Sequence, residues 1–318
     1  QNLPAEINKL KNLKYLQLSY CNLEILPDSI GDLIQLKRLD IDNNKIKPLI
    51  LSAIYFLIAL LCKESPVPFV GIVPLTLYFF TKANVKQLAI ATVPYFAMLV
   101  VFVIMRASIL DQMPNNNKVA ITENAMVGIT NFSEKMGTAL WIQLKYIILM
   151  IFPHPLSFDY SYNQIPFIGM TDYKAIISLI IMIALLAYAF INLRKKDIFS
   201  FSILFYYLAM SITSNMIIEI GATMGERFTF IGSLGFCIAV VLLLAKAMKV
   251  DLSNVSFNKP PAFTYVLIAI AVLYSGKTMS RNEDWKTNFD LYKSGAEVTP
   301  NSWRAQKACA IEYREKGN

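Results

Sequence analysis

Eight apolar runs constrain this chain more than any other feature of its sequence. They occupy residues 48–62 (PLILSAIYFLIALLC), 66–80, 88–105, 139–152, 175–193, 198–218, 228–248 and 262–274. About 20 consecutive apolar residues are enough to cross a bilayer as a helix. The composition agrees, because 16% of the residues are charged, against about 25% in ordinary soluble domains. The sequence therefore predicts a polytopic integral membrane protein.

The formal net charge of +8 does not indicate nucleic-acid binding. Lysines and arginines fall largely in short clusters between the apolar runs, where positive charge sets the orientation of membrane helices. The four cysteines lie far apart and there is one histidine, so neither a disulfide framework nor a His/Cys metal site is expected. Membrane lipids are the expected surroundings, and no bound cofactor is predicted.

The basic clusters at 82–86, 194–197 and 246–259 place those three loops in the cytoplasm. Residues 107–138 then lie outside, with the polar stretch DQMPNNNK. Because the run 175–193 must re-enter from the outside, the short run 139–152 keeps both of its ends there. We predict that it is a re-entrant or interfacial helix, beside about seven spans.

The segment PHPLSFDYSY follows this helix and contains the only histidine, His154, together with Asp159 and Tyr160. Irregular backbone at membrane depth is tolerated where it lines a cavity, and tyrosine is common at the membrane interface. We expect His154 to donate to a phosphate, and Asp159 to bind a sugar hydroxyl or to support His154. The alternative is a capped re-entrant helix with interfacial aromatic residues.

Two pairs of opposite charges adjoin apolar runs on the same outer side, Lys63-Glu64 and Glu226-Arg227. Ionisable residues in such places are candidates for function, and an arginine suits phosphate contact better than a lysine. The alternative for each pair is an ion pair that anchors a helix end. Arg106, at the outer end of its run, is interpreted as a snorkelling anchor.

Residues 1–50 contain two copies of one pattern with a period of 23 residues, LPAEINKLKNLKYLQLSYCNLEI and LPDSIGDLIQLKRLDIDNNKIKP. The members that recur are Leu13, Leu16, Leu18, Asn22 and Leu23, which fall near Leu36, Leu39, Ile41, Asn44 and Ile46. The pattern resembles the leucine-rich repeat, in which alternate leucines point inward from a short strand. Two units without caps predict a weakly stable fragment.

Residues 281–318 form a predicted soluble, helical part on the outer side. Helical spacing places Trp285, Phe289 and Tyr292 on one face, and Ala305, Cys309 and Tyr313 on another. TPNS predicts a helix start at Pro300.

Four segments occur in the order found in one known family. They are LLCKESPVPFVGIVP, LKYIILMIFPHPLSFDYSYNQIPFI, GERFTFIGSLGFC and RNEDWKTNFDLYKSGAEVTPNSWRAQKACAIEYREKG. Over about 51–318 the chain resembles the transmembrane-and-tetratricopeptide O-mannosyltransferases, which have the glycosyltransferase C fold. Residues 305–317 look like the first helix of a tetratricopeptide repeat.

The resemblance implies transfer of a sugar, expected to be mannose, from a polyprenyl-phosphate carrier to protein hydroxyls on the extracytoplasmic face. The acceptor protein or peptide would bind through the repeats. The residues carried over as substrate-binding candidates are Lys63, Glu64, His154, Asp159, Tyr160, Glu226 and Arg227.

One departure from the family concerns catalysis. The resemblance places the catalytic acid in the first extracytoplasmic loop, and here leucine-rich repeats stand in that place, so the chain is expected to be inactive as given. The abrupt join NNKIKPLILSAIYFLI favours a misjoined reading frame over a purposeful fusion. Two alternatives are a membrane-anchored scaffold that binds partners through both repeat types and a lipid-carrier transporter.

The expected fold is mainly α, a polytopic membrane helix bundle with an α/β leucine-rich fragment at one end and a tetratricopeptide-like helix at the other. The predicted domains are the leucine-rich fragment at 1–50, the membrane domain at 51–280 and the start of the repeat region at 281–318.

Overall fold

The computed structural model describes residues 3–18, 26–40, 49–110, 119–252 and 261–317. The described part is mainly helical, as predicted, and has one small parallel sheet. The chain divides into two compact units, Gln1–Gln112 and Met113–Asn318.

The sheet consists of β1 (Tyr15–Gln17) and β2 (Arg38–Asp40), which pair in parallel. Tyr15 lies opposite Arg38 and Leu16 lies opposite Leu39, so the register equals the 23-residue sequence period. The short 3-10 helices Ala5–Lys9 and Asp28–Asp32 repeat with the same offset. The predicted leucine-rich geometry is confirmed for these elements. The repeat positions Asn22, Leu23, Ile41, Asn44 and Ile46 lie outside the described residues.

The leucine-rich fragment has a small core. Leu18 and Leu33 are its buried hydrophobic side chains among the described residues, while Leu16 and Leu39 are half-buried. Each strand has three residues, so its ladder provides few hydrogen bonds. Because burial of apolar surface supplies most of the free energy of folding, a core of this size provides little stability.

We predict that a peptide of residues 1–50 alone gives no cooperative thermal transition in far-ultraviolet circular dichroism. Repeat arrays need about three or more stacked units to bury a continuous core. The whole chain in detergent serves as the control. A sigmoidal melt of the isolated peptide would contradict this expectation.

The helices of the first unit are α1 (Leu49–Cys62), α2 (Phe69–Phe80) and α3 (Val85–Leu110). α3 packs against both of the others. Phe56 and Leu60 of α1 meet Phe102 of α3 in a buried apolar cluster.

α1 and α3 run in the same direction. Near the start of α1, Ser52 accepts a 2.8 Å hydrogen bond from the Tyr95 hydroxyl. Just beyond the end of α1, Glu64 forms an ion pair with Arg106 of α3. Arg106, interpreted from the sequence as a snorkelling anchor, therefore has a carboxylate partner just beyond the end of the neighbouring helix.

The second unit contains seven α-helices in its described part. They are α4 (Phe132–Ile151), α5 (Tyr173–Ile191), α6 (Ile198–Met210), α7 (Thr229–Ala247), α8 (Ala262–Glu283), α9 (Asn288–Val298) and α10 (Trp303–Glu315). α6 is central, since it is buried along most of its length and packs on α5 and α7. α9 and α10 form a helical hairpin.

The predicted run 198–218 is not one helix, because α6 ends at Met210. The chain then turns at Asn215, whose backbone is left-handed with φ of 56°. The buried Asn215 amide nitrogen donates to the carbonyls of Ala222 and Thr223, and its amide oxygen accepts from Ile220 N. These bonds replace the helical ladder, which the apolar pattern alone did not indicate.

Two other boundaries differ from the prediction. α4 begins at Phe132, seven residues before the apolar run at 139, because the Asn131 side chain caps it by accepting from Ser133 N. α8 continues to Glu283, so residues 275–283 extend a helix whose apolar run ends at Tyr274. Its last polar turns therefore continue the same helix.

Four helical segments are long and apolar enough to cross a membrane: Val85–Ile109, Tyr173–Ile191, Glu226–Ala247 and Ala262–Glu283. Their apolar side chains are largely exposed, as expected for surfaces that face lipid. The chain is thus a multi-pass membrane protein with at least these candidate spans. The remaining predicted spans, the re-entrant path of α4 and the domain boundaries at 50 and 280 stay predictions.

In the C-terminal hairpin, the predicted helix face that contains Phe289 contacts the one that contains Tyr313. The rings of Phe289 and Tyr313 lie with their centroids 5.1 Å apart. The start of α10 differs from the prediction at Pro300, because Ser302 is the N-cap and accepts from Ala305 N. The tetratricopeptide assignment of this hairpin stays a prediction.

Candidate functional site

The segment between α4 and α5 folds back along α4. Ile168 N donates to the Thr138 hydroxyl at 3.0 Å, and Met170 N donates to the Ser133 hydroxyl at 3.0 Å. Gly137 permits this contact, because a Cβ at that position would lie 2.4 Å from the carbonyl oxygen of Ile168. The first half of this segment, 153–162, is the predicted site sequence.

Glu226 lies beside this segment. Its Oε1 accepts a 2.6 Å hydrogen bond from the Tyr160 hydroxyl and a 2.7 Å bond from Ser157 N. The neighbouring turn is fixed to α4, since Gly225 N donates to the Tyr146 hydroxyl at 3.1 Å. Tyr160 and Glu226, which are 66 residues apart in the chain, therefore form one polar centre.

The Tyr160 hydroxyl is held in its donor state. Burial raises the pKa of Tyr160, and the charge and hydrogen bond of Glu226 raise it further. A phenol in such surroundings stays protonated at neutral pH and donates to the carboxylate. The second carboxylate oxygen of Glu226 has no hydrogen bond within the described part of the chain.

Two cations of α8, Lys277 and Arg281, act electrostatically on this centre. The Lys277 ammonium lies 3.4 Å from Nδ1 of His154. The charges of Arg281 and Lys277 both act on Glu226. α8 is positioned by Tyr274, whose hydroxyl donates to the carbonyls of Met150 at 2.5 Å and Ile151 at 2.8 Å, at the end of α4.

Arg281 is only partly satisfied. Its Nη1 donates to Asp284 Oδ2 at 2.5 Å and to the Ser294 hydroxyl at 2.9 Å. Its Nη2 is buried and has no hydrogen-bond partner among the described residues. A buried donor without a partner is costly, so this nitrogen is suited to an anionic group.

Asp159 joins the site segment to the C-terminal hairpin, and its predicted contact with a sugar hydroxyl stays a prediction. Its Oδ2 accepts from the Ser302 hydroxyl at 2.7 Å and from Ser161 N at 2.9 Å, and Arg304 approaches its other oxygen at 3.8 Å. These contacts join the site segment to the start of α10. The described side-chain contact of His154 is with Lys277, and no hydrogen bond joins the His154 ring to Asp159 among the described residues.

A second set of contacts joins the same segment to α9. The hydroxyls of Ser157 and Thr299 lie 3.0 Å apart. The Phe158 ring packs on Gly295, where an added Cβ would lie 2.3 Å from the ring, and its centroid is 5.3 Å from that of Tyr292. Ser157 therefore contacts both Glu226 and the hairpin.

Lys63 and Glu64 belong to the first unit. Glu64 pairs with Arg106 rather than with Lys63, and Lys63 is exposed. A substrate-binding role for Lys63 and Glu64 stays a prediction. Arg227 is exposed too, with its guanidinium 5.0 Å from the Phe228 ring centroid.

The sequence interpretation missed Lys277 and Arg281 as site residues. The available signal was their spacing of four residues, which puts them on one helix face directly after an apolar run. It also missed Ser157 and Ser302, whose roles depend on contacts between distant segments.

A groove lies beside α10, with a volume of about 330 Å³. Its lining residues are Thr122, Glu123, Trp303, Arg304, Lys307, Ala308 and Ile311. Half of the Trp303 surface is exposed, and the Lys307 ammonium lies 5.8 Å from its ring centroid. Arg304 links the groove to the site, because it bonds Glu123 at 2.6 Å and approaches Asp159.

Comparison with known proteins supports the predicted resemblance. The family described as protein O-mannosyl-transferase TMTC, DUF1736, matches residues 118–186, a range that contains His154, Asp159 and Tyr160. The chain is similar to TMTC protein O-mannosyl-transferases. A second family, the leucine-rich repeat, matches residues 12–33 and confirms the interpretation of the N-terminal fragment.

Individual relatives agree with these matches. Protein O-mannosyl-transferase F38B6.6 of Caenorhabditis elegans is 29% identical over 51% of this chain and 22% of its own length. Protein O-mannosyl-transferase TMTC1 of Mus musculus is 28% identical over 53% of this chain and 18% of its own length. Protein O-mannosyl-transferase tmtc2 of Xenopus laevis is 38% identical over 27% of this chain and 10% of its own length. The chain thus spans about a fifth or less of these relatives, and no solved structure matches it.

We predict that Gly295→Ala loosens the hairpin from the site segment, because the new methyl group would collide with the Phe158 ring. Overpacking of this kind costs about 1–3 kcal/mol. Hydrogen exchange of residues 157–161 and of α10 should become faster. Gly276→Ala is the matched control, since a Cβ there has no neighbour within 4 Å. Equal exchange in the two variants would contradict the docking described above.

Proposed function

We propose that this chain contributes the donor-binding part of a membrane glycosyltransferase that uses a polyprenyl-phosphate-linked sugar, mannose in the first instance. The observation that carries the proposal is the Glu226–Tyr160 pair, with Lys277 and Arg281 beside it at the ends of membrane-type helices. The similarity to protein O-mannosyl-transferases supports the same reaction class.

The sugar would bind at Glu226. One carboxylate oxygen is occupied by Tyr160 and Ser157, which hold the group in a fixed orientation. The other oxygen is directed to accept a sugar hydroxyl, and a charged acceptor makes such a bond stronger than a neutral one. The two carboxylate oxygens of Asp159 face Ser302 and Arg304 of the hairpin. Asp159 would therefore affect sugar binding indirectly, by holding the site segment in place.

The phosphate would bind at the cations. Lys277 and His154 lie next to each other, Arg281 has a buried donor without a partner, and Arg227 is exposed beside Glu226. These groups come from the turn before α7, from α8 and from the segment after α4, so an anion between them would connect three elements. The apolar surfaces of the same helices would receive the polyprenyl chain.

Two finer features belong to the same proposal. The lysine-rich loops favour an extracytoplasmic position for this site and for the C-terminal hairpin. The family's catalytic acid is expected in the first extracytoplasmic loop, whose place the leucine-rich repeats take here. We therefore propose that this chain binds the donor and does not transfer the sugar by itself.

Binding of the donor tests the proposal without requiring turnover. The whole chain in nanodiscs is titrated with a short-chain polyprenyl phosphate mannose. We expect Lys277→Gln to raise the Kd about tenfold, because it removes one charge-assisted contact to the phosphate. Lys293→Gln, which removes an exposed charge from α9, should leave the Kd unchanged.

The Glu226→Ala variant distinguishes the contribution of the sugar to donor binding from that of the phosphate. The variant should bind polyprenyl phosphate as the wild type does and should lose its preference for the mannosylated form. If Lys277→Gln and Glu226→Ala both bind the donor normally, the proposed donor site is wrong.

We further propose that the groove beside α10 receives the acceptor polypeptide. Arg304 connects the groove to Asp159, and the exposed ring of Trp303 offers an apolar surface for a peptide side chain. Buried tryptophan and arginine contribute most strongly to interfaces of this kind.

Trp303→Ala should weaken binding of a serine- and threonine-containing acceptor peptide about tenfold or more, and leave donor binding unchanged. Trp285→Ala, at another exposed tryptophan, is the matched control. Peptide binding without any donor binding would favour the alternative function, a membrane-anchored interaction scaffold that uses its two repeat types.

A further inference from the structure

Two lysines flank one tryptophan on the surface of the second unit. The Lys145 ammonium lies 5.7 Å from the Trp141 ring centroid, and the Lys174 ammonium lies 5.5 Å from it. Trp141 and Lys145 are four residues apart on α4, while Lys174 is in the first turn of α5. Packing of α4 against α5 therefore creates this pair.

The two positive charges lack acidic partners among the described residues. The ion pairs of the second unit's described part involve other cations, namely Lys135, Arg281, Lys286 and Arg304. Lys145 is partly buried, and the charge that acts on it is the repulsive one of Lys174. The acid nearest in sequence, Asp172, caps α5 by accepting from Lys174 N. An anion between the two lysines would relieve their repulsion.

The position of the pair indicates where such an anion comes from. Lys174 begins the candidate span Tyr173–Ile191, so it lies at the depth at which a bilayer has its headgroups. Tyr173 and Trp141 are residue types enriched at that depth. Basic pockets between membrane helices bind the phosphates of lipid headgroups.

Apolar residues continue from each lysine along its helix. Ile148 follows Lys145 by three residues, and Ile177 follows Lys174 by three, so each lies on the same helix face as its lysine. Both isoleucines are exposed. Binding of a free phosphate would leave this apolar surface uncovered, whereas the acyl chains of a lipid would cover it.

We propose that Lys145, Lys174 and Trp141 form a binding site for the phosphate headgroup of an anionic phospholipid. The site holds the lipid at the junction of α4 and α5, and its existence does not depend on sugar transfer. The proposed lipid site can therefore be tested independently of the donor site at Glu226.

The test measures retention of phosphatidylglycerol by the whole chain in native mass spectrometry, after titration in nanodiscs of phosphatidylcholine. Each lysine near a headgroup contributes about a factor of five. Lys174→Gln should therefore weaken binding about fivefold, and Lys145→Gln/Lys174→Gln about twenty-five-fold. Lys145→Arg/Lys174→Arg keeps both charges and should bind within about threefold of wild type.

Lys246→Gln is the matched control, because Lys246 is an exposed lysine in the last turn of another candidate span. It should leave retention unchanged, and an equal loss there would show a general surface-charge effect and overturn the proposal. Unchanged retention in the double glutamine variant would overturn it too. Inorganic phosphate at millimolar concentration should not displace the lipid; full displacement would identify a free-anion site instead.

Discussion

The hydrogen bonds that Glu226 accepts from Tyr160 and Ser157 are the interaction on which the site depends. They join the turn before α7 to the segment after α4, and Ser157 passes the connection on to Thr299 of the hairpin. A carboxylate in partly buried surroundings is stable only when hydrogen bonds replace its lost hydration. The position of the segment and the orientation of the carboxylate therefore fix each other.

The same physical constraint explains much of the second unit. Its helices present apolar surfaces outward, so its polar groups are satisfied inside, as in the Asn124 and Asn215 amides that bond each other at 3.1 Å. The buried hydrogen bond from the Ser302 hydroxyl to Asp159 is a second example, and it connects the hairpin to the site segment. Buried polar networks of this kind specify one arrangement when their members are satisfied.

The groups that we assign to ligands include some whose polar atoms lack a full set of partners among the described residues. Arg281 retains a buried nitrogen without a partner among the described residues, and the Lys277 ammonium lies 3.4 Å from Nδ1 of His154. Lys145 and Lys174 share an indole rather than a carboxylate. Both clusters are cationic and both adjoin membrane-type helices, so phosphate-bearing lipids complement them in charge and in apolar surface.

The sequence by itself determined the membrane class, the helical content and the leucine-rich register, because these follow from local periodicity: β1 and β2 pair at the same 23-residue offset as the repeat. It also identified Glu226, Tyr160 and Asp159 as polar residues in unusual surroundings. Only the tertiary structure decided their roles. Hydrogen bonds between residues far apart in the chain join Asp159 to the start of α10 and Tyr160 to Glu226, and no periodicity encodes which distant segments meet.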